Sequence, residues 1–314
     1  MPAGAADQNT TARLIDSHVH IWDPTALEYS WLEGELDRPY LPAEYQAGAP
    51  ATTGVIFVEA GPTSKTGEVA WAESLGWPEL LGVVAHAPLE NGSGVATELA
   101  ALREVGRTVG IRRLLQDEPL SFFENPGLLE GLRALAAAGL PFDACIRHHQ
   151  LSALTALLAK VPELPVVLDH LAKPPVATGD DGTWERNLRA LAALPQVSVK
   201  LSGIPPELGD DQDWVSSSRP WLEVALDAFG AERAMVGSDW PVSAMLPRRL
   251  APGRWLSMVL DDLAASPAER EQLSWRTAAG FYELRRSGCE PLHQRVVGGR
   301  QDPLRPHRGE QRTP

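Results

Sequence analysis

What most constrains the fold of this chain is a repeated alternation. Short apolar runs of strand length are each followed by a stretch with helical patterning. The runs are Arg13–His20, Thr53–Ala60, Leu80–Ala87, Thr108–Leu115, Leu140–Arg147, Leu164–His170, Val197–Ser202 and Arg233–Asp239. Several are rich in Val, Ile and Leu without strict alternation, the pattern of strands covered on both faces. Helical segments between them imply parallel pairing. Eight such units predict a (β/α)8 (TIM) barrel, which typically takes ~250 residues. The alternative is an open doubly wound sheet. No glycine-rich dinucleotide fingerprint follows the first run, which counts against it.

Local signals mark the helices. Asn125-Pro126 reads as a helix start and Gly139 as its stop. Ser152 is expected to cap the segment that follows, and a helix is expected over 219–230. Residues 13–284 are expected to form the barrel. Residues 1–12, MPAGAADQNTTA, read as a flexible leader without the basic and apolar regions of a secretory signal. Residues 285–314 carry seven Arg against three acids among Gly and Pro, and read as a disordered basic tail.

Composition narrows the function. The net charge of −13 argues against nucleic-acid binding. No apolar run reaches the ~18 residues of a membrane span. The two cysteines, Cys145 and Cys289, make neither a disulfide framework nor a zinc-finger spacing, so a reducing cytoplasm is expected.

The chemistry-bearing residues gather at the C-terminal ends of the runs, where barrels of this kind place their sites. The first run ends in His18 and His20, which share one face of a strand, with Val19 turned into the packing behind. Two imidazoles on one face can ligate a divalent metal or bind an anionic substrate. Alternatively they are ordinary histidines, one solvated and one hydrogen-bonded. The later runs supply Glu59, His86, Arg112 with Arg113, Arg147 with His148 and His149, Asp169 with His170, Lys200 and Asp239. Polar groups are costly in a dry core, so their recurrence at one end suggests a site. Arg112 suits a carboxylate or a hydroxyl-rich ring, because guanidinium binds bidentately. Arg113 points to the opposite face and reads as a barrel–helix ion pair. Lys200 either binds a substrate oxygen or pairs with Asp239 or Glu59. Glu59 and His86 are weaker substrate-binding candidates. Trp22, Trp31 and Trp240 either wall the pocket or pack the long loop after the first strand.

HVHIWD after the first run, LDHLAKP, VKLSG and GSDWPV after the last run together resemble the amidohydrolase superfamily. More narrowly, residues 13–284 are similar to its branch of sugar-acid lactonases. The resemblance implies hydrolysis of a small lactone, with water attacking the carbonyl and Asp239 as general base. Asp239 can instead be a helix N-cap before Pro241. His170 would ligate a metal or polarise the carbonyl, or else be a hydrogen-bonded buried histidine. His18, His20 and Asp239 would hold one zinc or manganese ion, with His170 as a further ligand. Without a metal the histidines would donate hydrogen bonds to the carbonyl oxygen. Metal-rich members bridge two ions with a Lys on the fourth strand. Here that strand offers arginines and the Lys lies on the seventh, which departs from a binuclear centre. Arg276 before Thr277-Ala278 also departs from the family's closing segment. Two rivals stand beside the lactonase reading: a related decarboxylase or C–C hydrolase of small acids, and a non-catalytic sugar-binding barrel. The expected partner is a small molecule, and a homo-oligomer is compatible with either enzyme.

Overall fold

The computed structural model describes residues 13–63, 67–245 and 250–284. The expected leader and tail lie outside the described residues. Eight parallel strands form one sheet in sequence order: β1 Ile15–Val19, β2 Gly54–Val58, β3 Leu80–His86, β4 Thr108–Leu114, β5 Phe142–Cys145, β6 Val166–Leu168, β7 Val197–Leu201 and β8 Ala234–Val236. The ring is completed where β1 meets the chain just past β8. The His20 amide donates to the Trp240 carbonyl (2.7 Å) and the Asp239 amide to the His18 carbonyl (2.8 Å). Val19 and Trp240 form a parallel bridge there. This is the (β/α)8 barrel predicted from the alternation.

Two apolar layers follow from the strands being covered on both faces. Outward residues such as Val19, Val55, Phe57, Val83, Val199 and Val236 pack under the surrounding helices. Inward residues Ile15, Ile56, Val58, Val84, Val167 and Met235 join Ala278 and Tyr282 of the closing segment. Fully burying one such side chain contributes roughly 1.5–3 kcal/mol. Among the described residues no helix is long and apolar enough to cross a membrane.

The helix over Pro126–Ala138 matches its signals. The Asn125 side chain accepts from the Gly127 amide at 2.8 Å, and Gly139 closes the helix at φ 67°. Two expectations are corrected. Ser152 does not cap: the helix runs Leu151–Leu158, entered through a 3-10 turn over His148–Gln150, so Ser152 sits in the first turn. The helix expected over 219–230 spans Trp214–Phe229. Asp213 caps it by accepting from the Ser216 amide, and Pro220 lies inside. The strand ladders β6 and β8 are also shorter than the apolar runs, because the chain leaves both at the residues of the site.

Candidate active site

A bulge in β1 aims the two histidines. Asp16 pairs with Val55 and Val19 with Phe57, so three steps along β1 oppose two along β2. Strict alternation from the inward Ile15 would turn Val19 inward. The bulge resets the phase, Val19 joins the outer layer, and the imidazoles of His18 and His20 face the interior with their Nε2 atoms 3.1 Å apart. Asp16 holds the bulge: Oδ1 accepts from the amides of His18 and Ser238, and Oδ2 from the Tyr45 hydroxyl. Burial pushes the Asp16 carboxyl up to about 6, against those hydrogen bonds.

Asp239 and His170 reach the same point from positive φ. Asp239 follows β8 at φ 54°. Its Oδ2 accepts from the Ser243 hydroxyl at 2.7 Å, which leaves Oδ1 turned to the histidines. Oδ1 lies 3.8 Å from Nε2 of His18, 3.4 Å from Nε2 of His20 and 3.6 Å from Nε2 of His170. Burial pushes the Asp239 carboxyl up, but His170, His20 and His18 outweigh it and hold it below the usual carboxylate range. His170 opens a run of four residues at positive φ, His170 to Lys173. Each non-glycine residue there costs roughly 1–2 kcal/mol. Trp184 Nε1 secures the turn by donating to the Leu171 carbonyl at 2.9 Å. Gly203, itself at φ 66°, seats the His170 ring: a Cβ on it would stand 2.3 Å from the ring's Cγ and Nδ1.

Beneath the histidines lies a buried charge layer. Lys200 Nζ meets Asp143 Oδ2 at 2.5 Å, Asp169 Oδ1 at 3.1 Å and His18 Nδ1 at 3.1 Å. The sequence offered Asp239 or Glu59 as its partner; the carboxylates it meets are Asp143 and Asp169. Burial pushes Asp143 up to about 6, against Lys200. Burial also acts upward on Asp169, but Lys200 and His18 hold it well below the ordinary value. Arg112 Nε donates to Glu59 Oε1 at 2.8 Å, and its Nη2 to the Glu59 carbonyl. Its Nη1 stands 3.9 Å from Asp169 Oδ2. Arg112 and Glu59 thus engage one another. Arg113 faces outward and pairs with Glu90 (3.0 Å) and Glu118 (2.6 Å), the expected ion pair outside the barrel.

The remaining candidates lie around this centre. His86 ends β3 in register with Arg112 and is half-buried. Trp22 is buried, and its indole N–H is committed to the carbonyls of Leu36 and Arg38 (3.1 and 3.0 Å), which ties the first loop together. Trp31 is 40% exposed, edge-on to Trp22, and donates to the Ala60 carbonyl beside the end of β2. Trp240 packs among Tyr40 and Tyr45. Sequence reasoning did not single out Asp143, Ser202, Ser243, Tyr282, Lys173 or Gln116. An aspartate inside LPFDACIR was a readable signal, since a charge within an apolar strand needs a partner. The others had none, because their roles depend on elements far away in the chain.

The donor set fits a divalent ion. His18, His20 and Asp239 offer atoms within 4.8 Å of one another, all from buried residues, and His18, Asp169 and His170 form a second such group. The His20 Nδ1–H donates to the Val58 carbonyl at 2.8 Å, which leaves a lone pair on Nε2. Asp169 Oδ2 is buried without a hydrogen bond among the described residues. Lys200 and Arg112 face Asp143, Asp169 and Glu59, two positive groups against three negative ones.

The amidohydrolase family model matches residues 15–284. An L-fucono-1,5-lactonase of Burkholderia ambifaria is 31% identical over 280 residues, covering 87% of this chain and 96% of the relative. One of Burkholderia multivorans is 33% identical, covering 86% and 96%. A crystal structure of a Burkholderia multivorans amidohydrolase with bound zinc superposes with a TM-score of 0.75 at 31% identity, covering 87% of this chain and all of that one.

Proposed function

Because the chain belongs to the amidohydrolase family, we propose that it hydrolyses the lactone ring of a sugar acid, in the L-fucono or L-rhamnono class of aldonolactones. The observation that carries this is Asp239. A buried, ionised carboxylate offers one oxygen to three imidazoles, while Ser243 takes the other. Relatives named as L-fucono-1,5-lactonases and an L-rhamnono-gamma-lactonase support the substrate class.

Opening a lactone needs a water to lose a proton, an oxyanion to be stabilised and the ring oxygen to be protonated on leaving. Asp239 Oδ1 takes the water's proton and returns it to the ring oxygen as the tetrahedral species collapses. His170 is neutral at pH 7, since burial pushes it down to about 4. Its Nδ1 lies 2.9 Å from the Ser202 hydroxyl. With that hydroxyl donating, the Nε2–H faces the reacting centre as an oxyanion donor. A zinc or manganese ion held by His18, His20 and Asp239, with His170 beside them, would supply Lewis acidity and bring the pKa of water to roughly 7. Lys200 and Asp169 fix the His18 ring from behind. Arg112 and Glu59 hold the β2 and β4 ends together, and Trp31 and His86 border the mouth.

Acid release from a panel of aldonolactones, read with a pH indicator on chelated and metal-supplemented enzyme, tests the reading. Turnover of one stereochemical series is the expected result. Absence of turnover on every lactone, or release of carbon dioxide from small aromatic acids, would overturn it in favour of the decarboxylase chemistry of the superfamily.

A further inference from the structure

Arg112, the cation that the sequence offered to the substrate, is engaged by Glu59 on two of its nitrogens. A different cation reaches the mouth. Lys173 is the last residue of the left-handed turn that delivers His170, at φ 50°, and Pro174-Pro175 follow it. Its backbone is held on both sides. The amide donates to the His170 carbonyl at 2.7 Å, and the carbonyl accepts from His148 Nδ1 at 3.0 Å. The half-buried side chain crosses from the end of β6 to the loop after β4, where Nζ donates to Gln116 Oε1. Gln116 Oε1 is also 3.6 Å from Cys145 Sγ at the end of β5. The Lys173 charge bears on His170 and Cys145, and on the half-buried Glu207 of the neighbouring loop. An ammonium has three donors. Among the described residues Nζ uses one of them, on Gln116.

We infer that Lys173 binds the hydroxyl-bearing part of the ring, and the acid formed from it, and so selects polyhydroxylated lactones over bare ones. This rests on the lactonase reading for its substrate class. The strained turn then has two outputs from one piece of backbone: His170 toward the bond that breaks, and Lys173 toward the rest of the molecule. A hydroxyl-rich ring meets a donor in Lys173 and an acceptor in Glu207. A lactone without hydroxyls gains nothing from either.

The test compares wild type with Lys173→Met, and with Gln116→Leu, which removes the acceptor that holds the ammonium and leaves the ammonium itself in place. Two substrates are used, L-fucono-1,5-lactone and unsubstituted δ-valerolactone. Calorimetric binding of L-fuconate is measured alongside. For Lys173→Met, kcat/KM on the hydroxylated lactone should fall about 30-fold, as expected for losing hydrogen bonds from a charged group. The loss should be carried mainly by KM, with δ-valerolactone hydrolysis changed less than about twofold and L-fuconate affinity lowered in parallel. Gln116→Leu should show the same selectivity with a smaller loss. Equal losses on both substrates, or unchanged L-fuconate affinity in Lys173→Met, would overturn the assignment. Wild type that binds L-fuconate through Lys173 but opens neither lactone would overturn the hydrolase reading and leave Lys173 as an aldonate contact. Wild type that does neither would overturn both.

Discussion

The two ends of the barrel interior are built from the same eight strands and differ in kind. Toward the N-terminal end, Ile15, Ile56, Val84 and Met235 form an apolar floor sealed by Tyr282 and Ala278. At the C-terminal end, histidines, aspartates, a lysine and an arginine are packed to nearly zero exposure. Apart from the Tyr282 hydroxyl these floor residues are apolar and are stabilised by burial. The mouth must satisfy every charge with another, so its geometry is tightly constrained and a single substitution propagates. The seam between them is Asp143. It receives Lys200 from the mouth and the Tyr282 hydroxyl, at 2.8 Å, from the floor. The Lys200 ammonium also lies 5.7 Å from the centre of the Tyr282 ring.

This contrast can be broken in a graded way. Asp239→Asn, at the top of the mouth, should lower kcat by about 10³-fold with the hydrolytic step assayed directly. Its thermal midpoint should stay near that of wild type, because Ser243 still has an oxygen to donate to. An active Asp239→Asn enzyme would remove the carboxylate from the chemistry. Lys200→Met strikes the buried layer and leaves Asp143 and Asp169 facing one another. Denaturant titration should report about 3–5 kcal/mol of lost stability, the usual consequence of breaking a buried ion pair on one side. A loss under 1 kcal/mol would mean that the layer is more hydrated than its burial indicates.

Gly203→Ala touches no charge and should act through position. The added Cβ displaces the His170 ring, and a displacement near 1 Å can lower kcat by about 10²-fold. Unchanged kinetics would show that the His170 ring can relocate without penalty. Tyr282→Phe, on the floor, should give the smallest effect: about 1.5 kcal/mol of stability for one hydrogen bond to a carboxylate. Activity per folded molecule should hold. If kcat fell as steeply as in Gly203→Ala, floor and mouth would be one unit.

The alternation of apolar runs made the barrel legible, and the polar residues ending those runs made the mouth legible. His18, His20, His170 and Asp239 could be read from strand ends, and they converge around one oxygen. The partner of Lys200 could not be read. The aspartate in LPFDACIR signalled that it needs a partner, but which residue it meets depends on the register of β5 and β7 on either side of β6. Trp22 and Trp31 were indistinguishable in sequence. One indole N–H is bound to loop carbonyls and the other sits over β2.

The sequence by itself determined the number of strands, their parallel order and which end would carry chemistry. Those properties follow from local periodicity and from the cost of burying polar groups. The tertiary structure alone decided the phase of β1, through a bulge whose aspartate is held by Tyr45 and by Ser238 beyond β8. It also decided the left-handed turn at His170, which only Gly203 leaves room for. Both require contacts between residues far apart in the chain, and no local pattern encodes such a contact.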